Sequence, residues 1–230
     1  MVDINSFFTD DEKEAIKQSV ADAEKSTSAE IVPVLTDASG SYDRAEDTFG
    51  LMLAIVSVAI FWTLFQGTDT NAAWSASQKP ALVYNLLYII LTITVAFIVG
   101  AAVASRVWFI RNLFSSRGLM KNCVQNGATR AFQIHNLSRT KDSTGVLIYI
   151  SHFEHMVHVL GDSTVAEKLT DADFQEVRDA IIQGFRSGKR GDGVCEGIKL
   201  CGEKLAAHFQ IKEGDEDELP NDLVIWNQNL

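Results

Sequence analysis

Residues 145–162 read GVLIYISHFEHMVHVLGD, and the way this stretch folds decides the architecture of the chain. GVLIYIS (145–151) is a continuous apolar run rich in β-formers, the composition of a strand covered on both faces. HMVHVLGD (155–162) follows after a tight turn at His152 to Glu154, so the two runs read as a hairpin belonging to a soluble domain. Downstream, TDADFQEVRDAIIQGFRSG (170–188) aligns Phe174, Val177, Ile181 and Phe185 on one helical face. GDGVCEGIKLCGEKLAAHF (191–209) does the same with Val194, Ile198, Cys201 and Leu205, and Gly188, Gly191 and Gly193 mark the break between these helices.

Upstream of the hairpin, GLMKNCVQNGATRAFQIHNL (118–137) reads as a helix with Met120, Val124, Ala128, Ala131 and either Ile134 or His135 inward. At the N-terminal end, TDDEKEAIKQSVADAEKST (9–27) opens with Thr9 and has Glu12 three positions on, the pattern of a capping box. Ala15, Ile16, Val20 and Ala23 share a face of that helix with Ser19. AEIVPVLTD (29–37) then reads as a buried strand. Pro33 restricts it to an edge or to a site where the missing N–H is tolerated.

Two apolar segments separate the first strand from the rest. No charged residue occurs between Asp47 and Asp69 or between Lys79 and Arg106, and the cores are FGLMLAIVSVAIFWTLF (49–65) and ALVYNLLYIILTITVAFIVGAAVA (81–104). Each is long enough, as a helix, to cross roughly 30 Å of hydrocarbon, and a soluble core helix would keep a polar stripe. They begin too far into the chain for a cleaved signal peptide. Arg44 precedes the pair and Arg106, Arg111, Arg117 and Lys121 follow it, whereas the only basic residue in 66–80 is Lys79. The positive-inside rule therefore predicts a two-pass protein of a bacterial-type plasma membrane with both termini cytoplasmic. No ionisable side chain lies within either span, which suits an anchor better than a transport path. Gly50, Gly100 and the Ala-rich end of the second span are small enough for close helix approach.

The order helix, strand, apolar pair, helix, strand, strand, helix, helix predicts a three-layer α/β/α sandwich with an inserted transmembrane helical hairpin. Its expected parts are 1–47, the hairpin 48–105 with spans at about 49–66 and 81–104, the second part 106–210, and an acidic C-terminal tail 211–230.

STSAEIVPVL, ATRAFQIHNLSRTKDSTGVLIYISHFEHMVHVLGD and GFRSGKRGDGVCEGIKLCGEKLAAHF resemble the TPM domain, in particular its bacterial branch in which a membrane hairpin interrupts the domain after the first strand. The resemblance runs from residue 8 to about 210. It implies kinship with proteins as different as a thylakoid-lumen acid phosphatase, a photosystem II repair factor and a nematode acetylcholine-receptor modulator, so the fold alone does not fix the function. Thr140, Gly145, Ser151, Glu154 and Asp162 match the family pattern of a Thr before the second strand, a Gly opening it, a Ser and a Glu at the turn and an Asp closing the third strand. The Asp-Tyr-Ala segment of the enzyme-like members is replaced by DASGSYDRAED (37–47), which argues against phosphatase activity.

Parallel first and second strands would bring Asp37 and the Ser151–Glu154 turn to one end of the sheet, the usual ligand position in open α/β sheets. Asp37, Asp43 and Glu154, with Asp47 nearby, offer carboxylate oxygens for a hard cation, Ca²⁺ or Mg²⁺. Ser151 and Glu154 are then the catalytic candidates for metal-assisted phosphate-ester hydrolysis. His152, His155 and His158 are read as strand or turn histidines that alternate between faces and do not converge on a metal. Cys123, Cys195 and Cys201 form no C-x-x-C unit and suit a reducing compartment.

The net charge of −10 is concentrated near the two ends, which disfavours nucleic acid as a partner. The final LVIWNQNL supplies an apolar terminus suited to anchoring the tail on a partner. Two functions are expected: a membrane-anchored, non-enzymatic binding or assembly module for a membrane protein complex, or a divalent-cation-dependent acid-phosphatase-like hydrolase.

Overall fold

The computed structural model describes residues 4–65, 81–107, 116–140, 143–211 and 218–226. They form two compact units, one from Met1–Gly40 with Gly118–Leu230 and one from Ser41–Arg117.

The first unit is built on a four-stranded sheet of order β3-β2-β1-β4. Its strands are β1 (Ile31–Thr36), β2 (Val146–Ser151), β3 (Met156–Gly161) and β4 (Val224–Ile225). β1 runs parallel to β2 and to β4, whereas β2 and β3 make the antiparallel hairpin read from the sequence. Every residue of β1 and β2 is buried, as their unbroken apolar composition requires, while β3 alternates at the edge.

Three helices, α1 (Asp10–Glu24), α6 (Asp171–Arg186) and α7 (Arg190–Ala206), share one hydrophobic cluster with Ile31, Leu35, Val146, Ile148 and Ile150. The short α5 (Ser163–Lys168) adds Val165 to it. The alternate strand residues Val32, Val34, Leu147 and Tyr149 pack on the opposite face with α4 (Arg117–Ile134) through Val124, Ala128, Ala131 and Phe132. The three-layer sandwich follows from the period of two along a strand, since two apolar faces each need a cover. Of the two alternatives at the end of α4, Ile134 is exposed and His135 half-buried, while Phe132, not placed inward from the sequence, is buried against Leu137 and the strand face.

Local chemistry sets the helix ends. Thr9 and Glu12 form the reciprocal capping box, with the Thr9 N–H donating to Glu12 Oε2 at 2.8 Å. Thr170 and Asp173 repeat the device at the start of α6. Between α6 and α7 the backbones nearly touch: a Cβ on Gly193 would meet the Gly184 Cα at 2.6 Å, so this crossing needs two glycines.

Pro33 is accommodated by strand phase. The carbonyls of Glu30 and Thr36 accept from Val146 and His152 on the β2 side, while the Leu35 carbonyl accepts from Trp226 on the β4 side. Position 33 thus has its missing donor toward β4, whose pairing begins only at Val34. β4 itself was not expected: the end of the acidic segment returns to the sheet instead of serving only as a tail.

A parallel β1–β2 pair requires a long crossover, and α4 lies in it. The second unit is inserted into the same connection. It comprises α2 (Asp43–Phe65) and α3 (Ala81–Arg106), which pack along one another. A Cβ on Gly100 would lie 2.8 Å from the Gly50 Cα, so the small residues singled out in the sequence sit at a close backbone approach of these helices. Both helices are long and apolar enough to cross a membrane, and large apolar side chains face outward, Ile55 at 62% and Leu87 at 64% exposure. α2 begins at Asp43, so Asp43 and Asp47 lie in its first turns and not in a loop. The connection 66–80 and Arg111 lie outside the described residues.

Candidate functional site

The parallel register pairs Thr36 with Ser151 and brings the ends of β1 and β2 together. The turn is fastened to β1 by the Phe153 N–H, which donates to the Asp37 carbonyl at 2.7 Å. It closes through His155, whose φ of 50° lies in the left-handed region that histidine tolerates better than most residues.

Glu154 is 5% exposed and turns its carboxylate inward. One oxygen accepts the Ser39 N–H at 2.8 Å and the other accepts the Ser151 hydroxyl. The Ser39 hydroxyl donates to Ser151 Oγ at 2.9 Å and lies 3.1 Å from the Tyr149 hydroxyl. Since Ser39 has spent its single proton on Ser151, Tyr149 is the donor in that last bond. The result is a directed chain, Tyr149 to Ser39 to Ser151 to Glu154, in which each hydroxyl donates onward and a carboxylate terminates the series. Such chains polarise cooperatively in a dry interior.

Of the sequence candidates, the structure therefore unites Ser151 and Glu154 in direct contact and places Asp37 beside their turn. Asp37 contributes its backbone carbonyl there. The side chain of Asp43 lies outside the described residues. Among the described residues no group of three or more His, Cys, Asp or Glu side chains is arranged to hold a metal. Ser151 is 1% exposed, and strand alternation directs its side chain to the α4 face with Tyr149. A nucleophile must reach a substrate, whereas this hydroxyl is enclosed and bonded on both sides.

Ser39 is the residue the sequence did not disclose. Its partners are 110 to 115 positions away, and ASGS in a loop carries no signal of that contact. The histidines also differ from expectation. His152 and His155 lie in the turn, where their rings approach to 5.9 Å, so alternation along a strand does not separate them. His158 pairs with Tyr149 across the hairpin. Burial holds His135, His152 and His158 below the ordinary imidazole range. The three cysteines are free thiols, with Cys201 buried and pushed up to about 12 by desolvation.

Residues 106–204 match the family model of the TPM domain, a segment that contains α4, β2, β3 and all but the end of α7. The NMR structure of BA42 protein from the psychrophilic bacterium Bizionia argentinensis is similar in fold, with a TM-score of 0.56 at 21% identity. That match covers 98% of this chain and 100% of the other. No curated protein matches the sequence.

Proposed function

We propose that the chain is a membrane-anchored TPM-domain protein acting as a non-enzymatic binding or assembly module for a membrane protein complex. In this reading α2 and α3 lie in the bilayer and the α/β unit faces the cytoplasm. The observation that carries the non-enzymatic part is the burial of Ser151 between Ser39 and Glu154, which commits the catalytic candidates to holding the β1 loop against the β2–β3 turn. The anchor rests on two long apolar helices, with no Asp, Glu, Lys, Arg or His in 49–65 or 81–104, and on the basic residues flanking them. The net charge of −10 argues for a protein partner over a nucleic acid.

The competing reading is the Ca²⁺- or Mg²⁺-dependent hydrolase using Asp37, Asp43, Ser151 and Glu154. The full chain in phosphatidylcholine nanodiscs distinguishes the two when p-nitrophenyl phosphate is offered across pH 4 to 8 with each ion. Background hydrolysis, unchanged by Asp37→Asn with Glu154→Gln, is the expected result. Ion-dependent turnover abolished by that double variant sinks the non-enzymatic reading. Native electrophoresis of gently solubilised membranes is expected to show the chain in a larger assembly, and migration as a lone chain would count against the module.

A further inference from the structure

A cleft of about 370 Å³ lies between the β2–β3 turn and the junction of α6 with α7, with Ile150, Ser151 and Val157 in its lining. Phe7 and Phe185 form an apolar wall, their rings 6.1 Å apart and inclined by 26°. Four nitrogen-bearing side chains line it as well: His152 and His155 from the turn, Arg186 from the end of α6 and Arg190 from the start of α7. The His152 ring lies 4.7 Å from the Phe7 ring, and the Arg190 guanidinium lies 4.6 Å from the same ring. The aromatic face thereby holds both groups at the cleft without consuming their donors.

Neither Arg186 nor Arg190 has an ion pair among the described residues. By contrast, Lys13, Lys17, Lys25 and Lys204 each pair with an acid. Glu12, the acid nearest Arg190 in α1, has its oxygens on the Thr9 and Gly191 amides. Two unpaired guanidinium forks beside imidazole donors match the several acceptor oxygens of a phosphate, which bidentate arginine recognises better than a point charge would. The aromatic wall and Ile182 match an apolar body next to that phosphate.

We propose that this cleft binds a phosphate monoester carried on an apolar or aromatic group, with Arg186 and Arg190 holding the phosphate and Phe7 and Phe185 contacting the body. The residues assigned to the ligand are not those of the Ser39, Ser151 and Glu154 chain, although Ser151 borders the cleft, so their variants test the site independently of the catalytic question. The same chemistry is available from a soluble phosphomonoester or from the monoester headgroup of phosphatidate.

Phenyl phosphate titrated by calorimetry into the full chain in phosphatidylcholine nanodiscs is expected to bind saturably, and phenol is not. Arg186→Gln and Arg190→Gln should each weaken binding by about tenfold or more, the scale of a lost hydrogen bond to a charged group. Arg186→Lys, which keeps the charge and loses the fork, should fall between. The unfolding midpoint of each variant, measured without ligand, should match the parent, since both arginines are exposed. Repeating the titration in nanodiscs containing phosphatidate separates the sources. Reduced apparent affinity for phenyl phosphate identifies the lipid as a competing occupant, and unchanged affinity identifies a soluble ligand; both support the site. Absence of saturable binding at millimolar phenyl phosphate, equal binding of phenol, or full affinity in a folded Arg186→Gln, Arg190→Gln double variant overturns it.

Discussion

Replacing Glu154 with Gln removes one charge and keeps the shape, which makes it the most direct probe of what this carboxylate does. In the structure its two oxygens accept from the Ser39 amide and the Ser151 hydroxyl, and both atoms are shielded from water. Gln presents one carbonyl and one NH₂, so one of those two donors loses its acceptor. A hydrogen bond to a charged group contributes roughly 1.5–3 kcal/mol against about 1 for a neutral one, and a buried donor left unmet costs about 1–3 kcal/mol. The expected loss is therefore about 2–4 kcal/mol, or a drop in thermal midpoint of roughly 4–16 °C for a unit of this size. Ser39→Ala, which leaves the Ser151 to Glu154 bond in place, should cost less, about 1–2 kcal/mol. Calorimetric unfolding of the nanodisc-embedded protein reads both numbers, and the coupling between Glu154→Gln and Ser151→Ala should be at least about 0.5 kcal/mol because the residues touch. A carboxylate kept for cation binding would behave in the opposite way: without the ion, neutralising it would be neutral or stabilising. A Glu154→Gln protein as stable as its parent would refute the structural role assigned to this group.

Three other outcomes follow from the same geometry. Gly100→Leu drives a side chain into the Gly50 backbone, and the overpacking should cost about 1–3 kcal/mol, read as increased separation of fluorophores on α2 and α3; unchanged separation would contradict the close crossing. Ending the chain after Ile211 removes β4 and Trp226 from β1 and should lower the stability by about 2–4 kcal/mol if two part-buried apolar side chains are lost; an unaltered unfolding midpoint would mean that β4 contributes nothing. His135, His152 and His158 are held neutral by burial, opposed at His152 by Asp37 and Glu154 and reinforced there by His155 and Arg190. A depressed folded pKa means that the unfolded chain binds more protons below about pH 6.5, so stability is full above that value and falls as pH drops toward 5.5. Urea midpoints at pH 7.5 and 5.5 should show this decline, and His135→Phe should lessen it.

The elements legible in the sequence are those specified by neighbours within a few residues. The capping box at Thr9, the 3.6-residue periodicity of α1, α6 and α7, the unbroken apolar strands and the two uncharged spans all follow from local sterics and hydrophobicity, and each recurs in the structure. That Gly50 and Gly100 are small enough for close helix approach was legible for the same reason, whereas their meeting each other was not. What required the tertiary structure is what depends on partners distant in the chain. Ser39 meets Tyr149, Ser151 and Glu154 only because β1 and β2 are parallel and in this register. Phe132 displaces Ile134 from the core because the sheet face beneath α4 decides which neighbouring position has room. β4 is a two-residue strand whose existence depends on the free carbonyl edge of β1, and so its own composition could not announce it. The arginine-lined cleft likewise brings together residues from a turn, two helices and the N-terminal segment that share no sequence pattern. Periodicity specifies which face of an element is apolar, but only packing specifies what that face meets.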